Sequence, residues 1–247
     1  MKYFLDTEFL EGTQKKLFGE TKPTIDLISI GIVAEDGREY YAISKDFNIK
    51  EAWNRCEKRD RQPTGIEFVY WIRDNVLKPI YNELASFHIN YTNYGVHPHF
   101  GHVCADSRFL TFTYKNLKWL INKYGKTNKQ ISEEIKDFVY SKEDVLYNHE
   151  DCKTNHIGEV RSNIQFYGYY SDYDWVVFCW LFGRMVDLPK GFPMVAFDIQ
   201  QQIEEYNVDK EQLLKEVPQE NIHNSLEDAR WNYKAYNRIQ HKINNNV

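Results

Sequence analysis

Asp6-Thr7-Glu8 is where residue type and spacing in this chain most directly suggest chemistry. It closes a short apolar run, Lys2 to Leu5, that reads as a first strand. Side chains two apart on a strand share a face, so both carboxylates converge on one point. Two such groups repel unless a cation lies between them, and hard oxygen donors suit Mg²⁺ or Mn²⁺. Taken alone, the tripeptide is more simply a solvated strand end. A second acidic stretch is Tyr173-Asp174, where a strand candidate over 163–169 runs into a helix. An acid there also complements the helix dipole, and Asp172 competes with Asp174 for any functional role. The third stretch runs from His223 to Arg230. Asp228 is expected to face inward from the last helix, with His223 in the preceding loop; a surface role for Glu227 or Asp228 is the plainer alternative. Each stretch is weak alone, and the case rests on their order and their strand-end or helix-start settings.

The elements that must position these groups are partly legible. Ile25 to Val33 is rich in β-branched residues, Asp36-Gly37 supplies a hairpin turn, and Arg38 to Ile43 supplies a third strand. Gly12 to Thr24 reads as a polar connecting loop. Thr64-Gly65-Ile66-Glu67 has the capping-box pattern, so a helix is expected through Ile72, ended by Pro79. Leu117, Leu120, Ile121 and Tyr124 recur at helical spacing, and Ser132 reads as another helix start. Residues 142–160 read as loop. Then follow a helix over 174–182, a strand over 194–197, and helices over 199–206 and about 225–243. Strands followed by β–α alternation imply an α/β domain with a mixed sheet. The expectation is one domain over 1–247, with 81–162 inserted within it.

Composition bounds the partners. With 31 Lys+Arg against 36 Asp+Glu the formal net charge is −5, which argues against passive adhesion to a polyanion. A 42% apolar fraction suffices for a core and excludes wholesale disorder. No apolar run approaches the ~18–20 residues that span a bilayer, so no membrane partner is expected. The N-terminus reaches Asp6 too early for a secretory signal, and the four cysteines form no CxxC. A reducing, cytoplasmic setting is expected.

The stretch Phe4-Leu5-Asp6-Thr7-Glu8-Phe9, then Tyr173-Asp174, then His223 with Asp228 five residues on, resembles the DEDDh 3′–5′ exonuclease superfamily. Within it the chain is most similar to the RNase AS group of bacterial exoribonucleases, which act on adenylate-rich RNA. Residues 24–41 and Trp71 to Leu77 carry the same resemblance; most of 81–130 and 140–162 do not. It implies an RNase H-like mixed five-stranded sheet flanked by helices. It also implies that Asp6, Glu8, Asp174 and Asp228 bind two Mg²⁺ or Mn²⁺, with His223 as general base. The implied reaction releases nucleoside 5′-monophosphates from the 3′ end of single-stranded RNA. Relatives suggest a homodimer. Two divalent ions ~3.5–4 Å apart activate a water and stabilise the leaving oxygen. Imidazole, as a residue type, takes a proton near neutral pH. DNA or mixed substrates remain the alternative, as does a binding module whose nuclease site is unused.

Phe9 and Leu10 follow the first two acids and are expected to pack against a terminal base. Arg108, Lys115, Lys118, Lys123, Lys126 and Lys129, interleaved with Tyr114, Trp119 and Tyr124, suggest an RNA-tracking face; a solvated helix is the common alternative. Arg55, Lys58, Arg59 and Arg61 form a shorter cluster. His97, His99, His102 and Cys104, and His149, Cys152 and His156, are groupings that a structural Zn²⁺ would fit, but without finger spacing.

Overall fold

The N-terminal strands are longer than their apolar runs. In the computed structural model, which describes residues 1–16, 18–61, 65–93, 111–140 and 164–245, β1 (Lys2–Gly12), β2 (Thr24–Ala34) and β3 (Glu39–Ile43) pair antiparallel in that order. Gly37 takes φ +87° in the turn between β2 and β3, an angle open to glycine at no steric cost. A short helix, α1 (Ile49–Asn54), leads to a two-stranded ribbon, β4 (Glu57–Arg61) with β5 (Gly65–Val69). Next come a π-helical segment (Arg73–Leu77) and α2 (Lys78–Asn93), then α3 (Tyr114–Tyr124) and α4 (Asn128–Val139). The β–α alternation follows as β6 (Gln165–Gly168), α5 (Asp172–Phe182), β7 (Ala196–Asp198), α6 (Ile199–Glu205), α7 (Lys210–Glu216) and α8 (Ser225–Asn245).

The main sheet has the order β3-β2-β1-β6-β7, with β6 and β7 parallel to β1. It is the mixed five-stranded sheet flanked by helices that was expected, consistent with an RNase H-like fold. Alternation along β1 sets the layers. Tyr3 and Leu5 pack with Ile131 and Ile135 of α4 and Val177 and Phe178 of α5. Phe4, on the opposite face, packs with Ala229, Ala235 and Ile239 of α8. Leu10, beyond a register shift at Glu8/Phe9, packs with Leu77 and Leu84, and with Leu117 and Leu120 of α3. Asp6 and Glu8 thus fall on one face between two apolar clusters. Among residues 81–162, the described helices α3 and α4 contribute to the same core as the sheet.

Three expectations need correction. Residues 65–69 form a strand, not a helix: Gly65-Ile66-Glu67-Phe68-Val69 alternates with period two, and Glu67 lies across from Arg59. Thr64 lies outside the described residues. Pro79 does not end its helix but sits in the first turn of α2, after a π turn in which the Lys78 N–H reaches the Arg73 carbonyl. That wider turn relieves the clash of a proline ring with the preceding turn. α4 begins at Thr127, whose hydroxyl and the Gln130 side chain form the capping box, so Ser132 is internal and buried.

Gly31 on β2 is where α8 comes closest. A Cβ there would lie 2.2 Å from the Ser225 carbonyl oxygen and 2.4 Å from Leu226 Cα. Both are backbone atoms and cannot rotate aside. Gly31→Ala is expected to lower unfolding stability by about 1–3 kcal/mol, read by urea titration, because the start of α8 must shift. A midpoint equal to wild type would show that this approach is not tight.

Candidate active site

β1 outruns its parallel neighbour. β6 pairs only with Lys2 to Phe4, so from Leu5 onward one edge of β1 is left for other partners. Asp6 and Glu8 are therefore in mid-strand, not at a strand end as expected, and the shortness of β6 opens the site beside them. The Asn232 amide donates to the Leu5 carbonyl at 2.9 Å. Asp174 takes the next group: its Oδ1 accepts the Thr7 backbone N–H at 2.9 Å and the Thr7 hydroxyl at 2.5 Å. Thr7 points away from Asp6 and Glu8, toward the layer that contains α5. Asp174, from the first turn of α5, so meets β1 at its edge.

The start of that helix places the two candidate acids differently. Ser171 precedes its first residue, and the Ser171 N–H is held by Asp198 Oδ2 at 2.9 Å. Asp172 then points to solvent while Asp174 is 7% exposed.

Asp228 arrives from α8, seated on Gly31 and tied by Ser225 Oγ to Ser29 Oγ at 3.1 Å. Asn224 closes the helix start by accepting from the N–H groups of Leu226 and Glu227. Both Asp228 oxygens are engaged: Oδ1 accepts from Gln219 Nε2 at 2.7 Å and Oδ2 from the His223 N–H at 2.9 Å. Bonding its own backbone to Asp228 puts His223 at φ +72°, a conformation that costs a non-glycine residue and persists only where its surroundings hold it. The ring meets Trp71 edge-on, centroids 4.7 Å apart, and His223 Nδ1 lies 3.8 Å from Glu8 Oε1.

Asp6, Glu8 and Asp228 each present an oxygen within 4.8 Å of the others. Such crowding raises proton affinity. Glu8 is pushed up to about 8, by burial first and then by the charges of Asp228 and Asp174. Asp6 is raised well above the ordinary range by burial and by Asp174, Asp228 and Glu8. Asp174 is raised to about 6 by burial, against the two Thr7 hydrogen bonds that favour its charge. Burial likewise raises Asp228, opposed by Gln219 and the His223 N–H. An all-oxygen, mutually repelling set of this kind fits a hard divalent cation.

A sequence profile of 3'-5' exoribonuclease Rv2179c-like domains matches residues 1–240. The chain belongs to the Rv2179c-like 3'-5' exoribonuclease domain family. Two Mycobacterium tuberculosis proteins align with part of it. They are the 3'-5' exoribonuclease MT2234.1 of strain CDC 1551 / Oshkosh and the 3'-5' exoribonuclease Rv2179c of strain ATCC 25618 / H37Rv. Each is 48% identical over 65 residues, 26% of this chain and 33% of the mycobacterial protein. The aligned stretch thus spans about a third of those relatives. The family match, by contrast, extends across the helices of the 81–162 region.

The remaining expected groups are dispersed. Phe9 is half-buried and stacks on the exposed ring of Tyr173, centroids 5.9 Å apart. Leu10 is fully buried in the core and has no free surface to offer a base. Lys126 pairs with Glu134, and Lys123 lies 4.7 Å from the centre of the Trp119 ring. Lys115, Lys118 and Lys129 are exposed. Arg55 is occupied by Glu51 and by the carbonyls of Glu11 and Thr13. Arg108 and the residues of both zinc groupings lie outside the described residues. No described helix is long and apolar enough to cross a membrane. Three supporting residues escape the sequence reading. Thr7 and Gln219 carry no motif, and Trp71 is joined to His223 by the fold alone.

Proposed function

We propose that this chain is a metal-dependent 3′–5′ exoribonuclease of the DEDDh type, similar to the RNase AS group. It would remove nucleoside 5′-monophosphates from single-stranded, adenylate-rich RNA in the cytoplasm. The observation that carries this reading is the convergence of Asp6, Glu8 and Asp228 oxygens within 4.8 Å, with His223 Nδ1 3.8 Å from Glu8. Family membership and the 3'-5' exoribonuclease names of the mycobacterial relatives point the same way.

In this reading Asp6, Glu8, Asp174 and Asp228 hold two Mg²⁺ or Mn²⁺. When bound, the ions supply charge for the scissile phosphate, the attacking water and the leaving 3′-oxygen. The protein's part is positioning and proton transfer. Thr7 fixes the Asp174 carboxylate, and Gln219 with the His223 N–H fixes that of Asp228. His223 takes the proton from the attacking water, with Trp71 packed edge-on against its imidazole. Phe9, backed by Tyr173, offers an apolar surface to the terminal base. A homodimer, which only the resemblance to the RNase AS group implies, is compatible with this scheme and not required by it.

A panel of 5′-labelled RNA and DNA homopolymers with Mg²⁺, Mn²⁺ or EDTA tests the reading. The expected result is stepwise shortening from the 3′ end, release of nucleoside 5′-monophosphates, no cleavage in EDTA, and faster turnover of RNA, adenylate most of all. Cleavage that survives chelation, or release of 3′-monophosphates, would overturn it. Faster turnover of DNA would favour the alternative substrate. Binding without cleavage would favour a module whose nuclease site is unused.

A further inference from the structure

The loop between β6 and α5 carries a feature that the proposed chemistry does not use. Tyr170 is 59% exposed, yet its backbone sits at φ +53°. An aromatic residue rarely adopts that conformation, and nothing about a solvent-facing ring requires it. Lys210, at the start of α7, lies over two rings at once. Its Nζ is 5.2 Å from the centre of Tyr169 and 5.4 Å from that of Tyr170. The rings themselves meet edge to face at 4.6 Å. Lys210 is exposed and has no carboxylate partner among the described residues, unlike Arg230, Arg238 and Lys242 on α8.

The cluster is anchored to the elements that carry the acids. Tyr169 packs edge-on against Trp231 of α8, centroids 5.0 Å apart, and Trp231 Nε1 donates to the carbonyl of Val217, just beyond α7. Two residues further on, Gln219 reaches Asp228. On the other side, Tyr170 precedes Ser171 and Asp174, and Tyr173 of that same turn stacks on Phe9. One turn of chain therefore links Phe9 and Tyr173 to Tyr170 and Lys210. The exposed Asp172 lies within it and disfavours a phosphate there, whereas Lys210 favours one.

We propose that Tyr170 and Lys210 form a second nucleotide subsite, on the 5′ side of the terminal nucleotide of a single-stranded nucleic acid. Tyr170 stacks an unpaired base and Lys210 contacts the adjacent phosphate. The proposal rests on the exonuclease reading above and adds to it where the strand leaves the site. Stacking on an aromatic tolerates any base, and one single-strand phosphate contact contributes about 0.7 to the salt slope of binding.

The test compares wild type with Tyr170→Gly, Lys210→Ala and a control on the same helix, Lys215→Ala. Steady-state kcat/KM is measured on a dinucleotide and on an eight-nucleotide RNA. Strand affinity is measured by anisotropy in the His223→Ala background across a salt series. Tyr170→Gly is suited to φ +53°, so its melting temperature is expected to equal or exceed that of wild type. Its preference for the longer strand is expected to fall about tenfold through KM. Lys210→Ala is expected to lower the salt slope by about 0.7, and Lys215→Ala to leave it unchanged. Equal slopes for the two lysine variants, or an undiminished length preference in a folded Tyr170→Gly, would overturn the subsite. Wild type that cleaves neither strand would instead overturn the exonuclease reading.

Discussion

Asp6→Asn is expected to lower hydrolysis at least ~10²-fold while making the protein more stable in EDTA. The substitution keeps side-chain shape and removes one charge. Burial disfavours the charge on Asp6 most, and the charges of Asp174, Asp228 and Glu8 add to that effect. Losing that charge removes a proposed ligand to the ions, so transition-state stabilisation falls. It also removes a buried carboxyl that, with no cation present, must either stay charged among other acids or take up a proton, so the melting temperature in chelator rises. Misfolding would lower both quantities, which makes the opposed signs diagnostic. Activity is read as initial rate on a labelled oligonucleotide, and stability by thermal unfolding with EDTA. Wild-type rates in the variant would end the assignment of Asp6 as a ligand.

Chelated protein is expected to lose stability as pH rises from about 5 to 8, and divalent cation to restore it most strongly at the upper end. Glu8 sets the window. Its proton affinity in the folded chain, about 8, lies above its ordinary value of 4.5. The folded state therefore holds a proton that the unfolded state has released. The resulting contribution is complete below about 4.5 and is lost as pH climbs through 8. Asp174, at about 6, acts in the same direction over a lower range. At ~1.36 kcal/mol per pH unit the total is a few kcal/mol. Asp187 and Glu216, both held at about 2 by hydrogen bonds from Arg184 and Arg238, are ionised throughout this window. A cation that binds only the folded state adds stability that grows with the logarithm of its concentration above the dissociation constant, and it binds best to ionised acids. Urea titrations at pH 5.5, 6.5 and 7.5, with EDTA or with Mn²⁺, check this. Stability in EDTA that rises over this range would mean that the acids are not crowded as described.

Local pattern was enough for the elements whose signal is short-range. The β2–β3 hairpin follows from a β-branched run and one Asp-Gly turn. The last helix, expected over about 225–243, is found as α8 from Ser225 to Asn245. The same reasoning failed at residues 65–69, where four residues matched both a capping box and a strand. Pairing with 57–61, a non-local fact, selected the strand. It failed again at Pro79, because a π turn is not encoded in any single residue type.

The sequence by itself determined which groups are available. Period-two alternation put Asp6 and Glu8 on one face of β1, and no folding partner alters that. Only the tertiary structure decided what those groups do together. β6 stops pairing after Phe4, and Asp174 enters the gap on Thr7. Gly31 admits the start of α8, which brings Asp228 within reach from more than two hundred residues away. It also buried Asp174 while leaving Asp172 exposed, buried Leu10, and set Trp71 beside His223. Spacing along a strand or helix is fixed by backbone geometry, whereas convergence of distant segments depends on where each element ends and how closely its neighbours pack.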